Sequence, residues 1–430
     1  MSPTLLAVVG IAVMLALMMV RVPIAFAMLA TGMIGVILVI GPEASLQLVA
    51  ADVYRQFSSY TMAVVPLFIL MGLVIFHAGI SSRLFATAYT WIGHLPGGVA
   101  ATTILASVGF SAVSGSNAAA TATMGSVALP EMKRYGYDPA VAGGAVAIGG
   151  TLGVLIPPST ALIIIAVQSE QSISTLFQAA LLPGVLIGLL LVVTSVLICW
   201  RRPQLGPPGP RADLRTRLRS LGGVSETVIL FAVALGGMFA GWFTPSEAAA
   251  VGAFGAIVIG IATRSLSIKG FQTAVSQTLH TSAMVVLLIA GAVVFGRFMA
   301  VTRLPFDLAE WAAGLAVPRV VVLLIVITIY LVGGALMDAL GFLVISIPIF
   351  FPLITALGYD LVWFTIVVTL ITTLGAVTPP VGVNVFIVSG LDKSLKVLTV
   401  FRGVAPYFVV YAVALAVCIL VPEVITFSVD

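Results

Sequence analysis

The chain has 430 residues, of which 61% are hydrophobic and only 8% charged, with a mean hydropathy of +1.23 and a formal net charge of +4. That balance excludes a soluble core inside a charged shell, because too little polar surface is available to cover it. It implies a polytopic membrane protein, whose basic residues sit in short loops between apolar runs as orientation signals do, not in a nucleic-acid-binding patch.

Apolar runs of about 17 to 25 residues are read as membrane spans. The first, Thr4 to Val20, lacks the charged start and small-residue cleavage site of a signal peptide and is read as a retained span. Val22 to Ile40 and Thr61 to Gly79 follow, then a hairpin-like region from Gly97 to Met132, a broken span from Pro139 to Gln168, and Leu176 to Trp200. A Pro-, Gly- and Arg-rich linker over 201–223 divides this first unit, 1–200, from a second, 224–430. The second unit repeats the order: Val224 to Phe243, Pro245 to Thr263, Thr281 to Ala300, a hairpin-like region from Val320 to Thr355, a broken span from Leu361 to Leu391, and Val404 to Val421. Cys199 and Cys418 both fall in apolar runs and offer no disulfide framework.

The repetition is visible at the level of residues. GGTLGVLIPPST, from Gly149 to Thr160, matches TTLGAVTPPVGVN, from Thr372 to Asn384, and each is preceded by Gly-Tyr-Asp, at 136–138 and 358–360. Pro157, Pro158, Gly153 and Asp138 shift by 222 positions onto Pro379, Pro380, Gly375 and Asp360. Matched Gly/Pro interruptions in two halves of an apolar chain mark discontinuous helices, which in secondary transporters hold substrate and coupling ions near the membrane midplane.

The linker sets the orientation. Six arginines between Arg201 and Arg219 against Asp213 alone make it cytoplasmic. Counting outward puts Arg21, Arg83, Lys133, Arg134, Arg264, Lys269, Lys393, Lys396 and Arg402 inside, with Arg55, Arg297, Arg303 and Arg319 as exceptions on the exterior. Each unit then has five full crossings, so the two copies are inverted and both ends of the chain, Met1 and Asp430, face the periplasm. The predicted fold is all-α, an inverted repeat with two re-entrant hairpins and two broken helices.

The centre of the first hairpin, Gly109 to Ser126, is small and polar throughout, between flanking segments read as too short to span alone. Non-helical backbone at membrane depth is tolerated only inside protein or beside water, so a tip at Ser114, Gly115, Ser116 and Asn117 implies a lined cavity. The alternative is close helix packing through small residues. The second tip runs from Gly333 to Gly341 and contains Asp338, the one acidic residue placed deep in the membrane and the positional counterpart of Ser116. Such a carboxylate is functional by default, or else caps a half-helix N-terminus. Arg297 near a span end is read as snorkelling to the interface, the alternative being contact with an anionic substrate. Ser116, Asn117, Thr121, Asp338 and Asn384 are the candidate substrate-facing residues.

Unwound segments expose carbonyl oxygens, and proline adds no donor, so each break can coordinate a small hard cation. The scarcity of intramembrane acids and histidines weighs against a proton relay, since His77, His94 and His280 all lie near span ends. No HExxH, GxSxG or metal-spaced His/Asp set suggests an enzyme.

These residues, above all FSAVSGSNAAATATMGSVALPEMKRYGYDP with GGTLGVLIPPS and its partner LGAVTPPVGVN, resemble the large membrane subunit of tripartite ATP-independent periplasmic (TRAP) transporters, and the resemblance covers essentially the whole chain. It implies sodium-driven elevator uptake of a small organic acid such as a C4-dicarboxylate or sugar acid, at the bacterial inner membrane. A periplasmic substrate-binding protein and a small four-helix membrane subunit, expected as separate polypeptides, would be the partners. Carried over residue by residue, one sodium site would use Ser111, Ser114, Gly153, Ile156 and Pro158, and the other Gly334, Gly375, Thr378 and Val381. The alternative is a stand-alone sodium/dicarboxylate symporter that needs no binding protein.

Overall fold

The computed structural model describes residues 2–314 and 317–427; the chain ends Met1 and Asp430 lie outside the described residues. The first unit contains α1 (Pro3–Met19), α2 (Ile24–Ile40), α3 (Pro42–Phe57), α4 (Val64–His77), α5 (Ile80–Ile92), α6 (Gly98–Ser114), α7 (Asn117–Arg134), α8 (Pro139–Gly150), α9 (Thr160–Gln168) and α10 (Ile173–Arg201). The linker carries α11 (Leu214–Leu221). The second unit contains α12 (Ser225–Phe239), α13 (Pro245–Ala262), α14 (Ile268–Val301), α15 (Leu304–Gly314), α16 (Arg319–Leu336), α17 (Ala339–Ala356), α18 (Leu361–Gly375), α19 (Val383–Leu391), α20 (Val397–Leu420) and α21 (Glu423–Thr426).

Local chemistry sets these boundaries twice over. Asp138 and Asp360 cap α8 and α18, the first accepting from the Ala140 and Val141 amides at 2.8 and 3.3 Å and the second from the Trp363 amide at 2.7 Å. Each cap follows a left-handed glycine, Gly136 or Gly358, that turns the chain out of the preceding helix. Shifted by 222 residues, α7 falls on α17 end for end.

One difference separates the copies. The second unit runs through α14 as a single 34-residue helix, whereas the first is broken between α3 and α4 by extended backbone at Ser59 and a short 3-10 turn, Tyr60–Ala63. Ser58-Ser59 stands where the second copy has His280-Thr281, and serine hydroxyls compete with helical backbone hydrogen bonds. The apolar pattern fades at Thr281, where the predicted span begins, but the helix continues back to Ile268.

The copies are inverted. The end of α4 meets the early part of α14 through His77 Nε2 and Gln277 Oε1 at 2.9 Å, while Ser59 and Thr61 ahead of α4 share a cavity wall with Gly296 and Arg297 near the end of α14. The two helices are therefore antiparallel, and α4 is the counterpart of the C-terminal part of α14. Contacts are also exchanged across the repeat: α2 packs on α14 as α13 does on α4, and α8 packs on α20 as α10 does on α18. Such reciprocity is what an approximate two-fold relation requires.

Two bodies emerge from the packing. α1 to α4 and α12 to α14 form one, and the helix pairs α6–α7 and α16–α17 with α8 to α10 and α18 to α20 form the other. α5 and α15 join them, packing on α6 and α17 respectively. α15 falls between the predicted span Thr281 to Ala300 and the hairpin-like region that starts at Val320.

Seven helices among the described residues are long and apolar enough to cross a membrane. α16 and α17, at 18 residues each, are among them, so the short arms expected of the first hairpin have no parallel in the second. Length therefore cannot distinguish a hairpin from two crossings. α1 and α2, at 17 residues each, are about 25 Å long by the helical rise. Their outward faces carry Leu5, Val8, Phe26, Ile34 and Leu38, all exposed, as a lipid- or subunit-facing wall requires.

Candidate functional site

The first helix pair turns at Gly115, which is left-handed, and Ser116, whose hydroxyl caps α7 by accepting from the Ala119 amide at 3.5 Å. This turn lies against the break between α8 and α9. A side chain at Gly153 would come within 2.5 Å of the Ser116 carbonyl oxygen, and one at Gly115 within 3.0 Å of the Pro158 carbonyl oxygen. Glycine at both positions is what allows backbone to approach backbone. The Asn117 side chain ties them together, its Oδ1 accepting from the Val154 amide at 3.1 Å.

The second pair repeats the arrangement. Asp338 caps α17, accepting from the Leu340 and Gly341 amides at 3.1 and 3.4 Å, so the capping alternative weighed from the sequence describes its position. Ser116 and Asp338 thus hold one structural post in the two copies. A side chain at Gly375 would fall 2.5 Å from the Gly334 carbonyl carbon, and the Gly382 amide donates to the Ala335 carbonyl at 3.4 Å. Both breaks contain a cis Pro-Pro bond, Pro157-Pro158 and Pro379-Pro380.

The candidate cation ligands are brought together in these two places. Ser111, Ser114, Gly153, Ile156 and Pro158 belong to the first tip and break; Gly334, Gly375, Thr378 and Val381 belong to the second. Ser111 is fully buried and its hydroxyl has no hydrogen-bond partner, whereas Ser114 Oγ donates to the Ser116 carbonyl at 3.3 Å. An orphaned buried hydroxyl is a group that a hard cation with oxygen ligands would satisfy. Thr378 Oγ donates to the Leu374 carbonyl at 2.8 Å, which leaves its own lone pairs free. The environments differ: Pro157 and Pro158 are buried, while Pro379, Pro380 and Asp338 are exposed.

The substrate-facing candidates are placed less uniformly. Asp338 faces open space, and Ser116 is half-buried. Asn117 and Asn384 are buried, and each keeps one amide atom without a partner, Nδ2 and Oδ1 respectively. The Asn384 Nδ2 donates to the Ala147 carbonyl of α8 at 3.2 Å, linking the second break to the first. Thr121 is fully buried, donates to the Asn117 carbonyl at 2.8 Å, and fills the space opposite Gly150.

Arg297 differs from its expected role. Its guanidinium is bidentate on Asp52, with Nε and Nη2 donating at 2.5 and 2.7 Å, so it is a paired cation and not a snorkelling one. Asp52 lies 245 positions away on α3, an element absent from the predicted layout, and no sequence spacing joins them. Tyr411 was also not singled out: its hydroxyl meets that of Thr151 at the first break and ties it to α20. Arg319, another exterior exception, stacks over the Tyr359 ring at 5.3 Å.

The family model described as the tripartite ATP-independent periplasmic transporter DctM component matches residues 11–424. The chain belongs to this family. It is therefore a multi-pass inner-membrane transporter, not an enzyme, and one component of a tripartite system with further membrane and periplasmic parts. It is 32% identical over 389 residues to the C4-dicarboxylate TRAP transporter large permease protein DctM of Pseudomonas aeruginosa, covering 90% of each chain. It is also 31% identical over 410 residues to the sialic acid TRAP transporter large permease protein SiaM of Vibrio cholerae, covering 95% of each. Among solved structures, the Alcanivorax borkumensis YdaH transporter superposes with a TM-score of 0.65 over 99% of both chains at 15% identity, a likeness of fold alone.

Proposed function

We propose that this TRAP large permease drives uptake of a small organic acid with sodium ions held at the two tip-and-break units, by an elevator movement of the second body against the first. The supporting observation is the first unit. There the buried, unpartnered Ser111 hydroxyl stands one turn before a tip whose backbone packs on the break, at Ser116 against Gly153 and at Gly115 against Pro158. In this reading both tips lie near mid-depth, because each meets the interruption in the middle of a broken helix. The half-helix N-termini of α7, α9, α17 and α19 then turn positive partial charge toward an anion.

Ser111, Ser114, Gly153, Ile156 and Pro158 would hold one ion, and Gly334, Gly375, Thr378 and Val381 the other. Bound cations would close each tip on its break and complete the surface that receives the acid. A C4-dicarboxylate or a sugar acid is admissible, in keeping with the substrates in the relatives' names. A small four-helix membrane subunit would cover part of the exposed apolar wall of the first body, and a periplasmic binding protein would deliver the ligand.

The test is uptake into proteoliposomes containing the chain with its small membrane subunit and binding protein, under an imposed inward sodium gradient. Concentrative uptake with a sigmoidal sodium dependence is expected. Equal uptake on a proton gradient without sodium would refute the coupling, and concentrative uptake by the chain alone would favour a stand-alone symporter.

A further inference from the structure

A cavity of about 530 Å³ lies between α3, the turn ahead of α4, the α9–α10 loop and the end of α14. It belongs neither to the first tip and break nor to the second. Its walls come from both bodies, and the count of crossings outward from the Arg-rich linker puts Arg55, Arg297 and with them the cavity at the exterior end of the molecule. In a chain with only 34 Asp, Glu, Lys and Arg side chains, four converge here: Asp52, Arg55, Glu170 and Arg297.

Asp52 and Arg297 neutralise one another through their bidentate pair. Arg55, on α3, and Glu170, on the loop of the other body, line the cavity outside the four ion pairs found among the described residues. Gln171 adds a third unmet demand. Its Nε2 donates to Thr365 and Ser169 at 3.1 and 2.8 Å, but its Oε1 is buried without a donor. The cavity therefore offers one free cation, Arg55, and one free acceptor, Glu170, and the acceptor calls for hydrogen-bond donors.

We propose that this cavity is a reception site for the transported acid on its way in from the exterior, and that it takes a hydroxylated monocarboxylate. The carboxylate sits on Arg55, and a hydroxyl donates to Glu170. A dicarboxylate is selected against, since its second charge would lie toward Glu170 with Arg297 already satisfied by Asp52. The unpaired guanidinium in the cavity wall also concentrates anions there. The proposal rests on the organic-acid reading above and narrows its substrate class.

Ser59 lines the same cavity, and both native cysteines are buried, so a Ser59→Cys variant provides one accessible thiol for a membrane-impermeant maleimide. Labelling is measured in right-side-out vesicles holding the chain with its small membrane subunit, without binding protein and with equal sodium on both sides. Millimolar gluconate is expected to slow labelling at least about threefold and succinate to leave it unchanged. Adding Arg55→Gln should abolish protection by gluconate, and adding Glu170→Gln should let succinate protect. Absence of labelling from outside, equal protection by succinate, or protection that survives Arg55→Gln would overturn the proposal. Because no gradient is used, sodium-driven uptake can fail while protection persists, and the reverse, so the two readings are separable.

Discussion

Ser111 and Asp338 are the side chains at which a functional and a purely structural account of the tips diverge. A buried hydroxyl without a partner costs stability, so if Ser111 had no ligand its replacement by alanine would be neutral or stabilising in every condition. As a cation ligand, Ser111→Ala instead raises the sodium concentration for half-maximal transport about five- to tenfold, near 1 kcal/mol of lost interaction, with thermal stability in sodium-free buffer unchanged. Sodium titration of uptake beside a melting curve of the same variant decides it. For Asp338 the capping geometry supplies a reference. Asparagine caps as well as aspartate, whereas alanine costs about 1 kcal/mol of helix stability. Asp338→Asn should therefore keep the thermal midpoint of the wild-type protein and Asp338→Ala should lower it by a few degrees. If transport falls in both variants alike, the carboxylate charge itself works in the cycle; if it falls only with alanine, the cap is its whole role.

The linker helix α11 shows how an element whose sequence signal is only its charge acquires a defined place. Ser220 accepts at its carbonyl from Thr87 Oγ at 3.0 Å, and the Arg217 guanidinium donates to His94 Nδ1 at 3.3 Å, fastening α11 to α5. Burial first, then Arg217 and Arg211, hold the His94 imidazole below its ordinary value of 6.5. A depressed histidine favours the neutral ring in the folded state, so this contact is fully present above about pH 6.5 and weakens as the pH falls through the lowered value. Amide exchange across residues 214–221, corrected for the intrinsic pH effect, should be faster at pH 5.5 than at pH 7.5. His94→Gln should remove that difference while leaving exchange in α8 untouched.

Elements also differed in how far the sequence could disclose them. The breaks were legible because proline and glycine act locally, and the repeated Gly-Tyr-Asp marked the start of each broken helix. α3 was not, because its mean apolarity is low and its two faces differ, which a search for continuous apolar runs passes over. The partnership of Asp52 with Arg297, and with it the polar cavity, depends on chain reversal over 245 residues, for which one sequence carries no signal.

At the scale of the molecule, the reciprocal packing and the two bodies make a rigid-body cycle testable without knowing the substrate. α17 of the proposed mobile body touches α2 of the fixed one, where a side chain at Gly341 would lie 3.7 Å from Ile24 Cγ1 and 2.3 Å from its Cδ1. Side chains at these two positions face one another, and since a disulfide needs Cβ atoms about 3.5 to 4.5 Å apart, cross-link formation is verified by gel shift before uptake is read. Inside the fixed body, Gly252 on α13 faces Met71 on α4 in a similar way, with a side chain at Gly252 lying 3.6 Å from Met71 Cγ and 2.5 Å from its Sδ. Native Cys199 and Cys418 are buried and free, so they interfere with neither pair. Oxidising Ile24→Cys/Gly341→Cys should reduce uptake at least about tenfold and a reductant should restore it, because an elevator requires α17 to slide past α2. The Gly252→Cys/Met71→Cys pair, joining helices that move together, should keep most of its uptake when cross-linked to the same extent. A cross-linked Ile24/Gly341 protein that still transported at full rate would rule out this interface as the sliding surface and require the moving parts to be divided elsewhere.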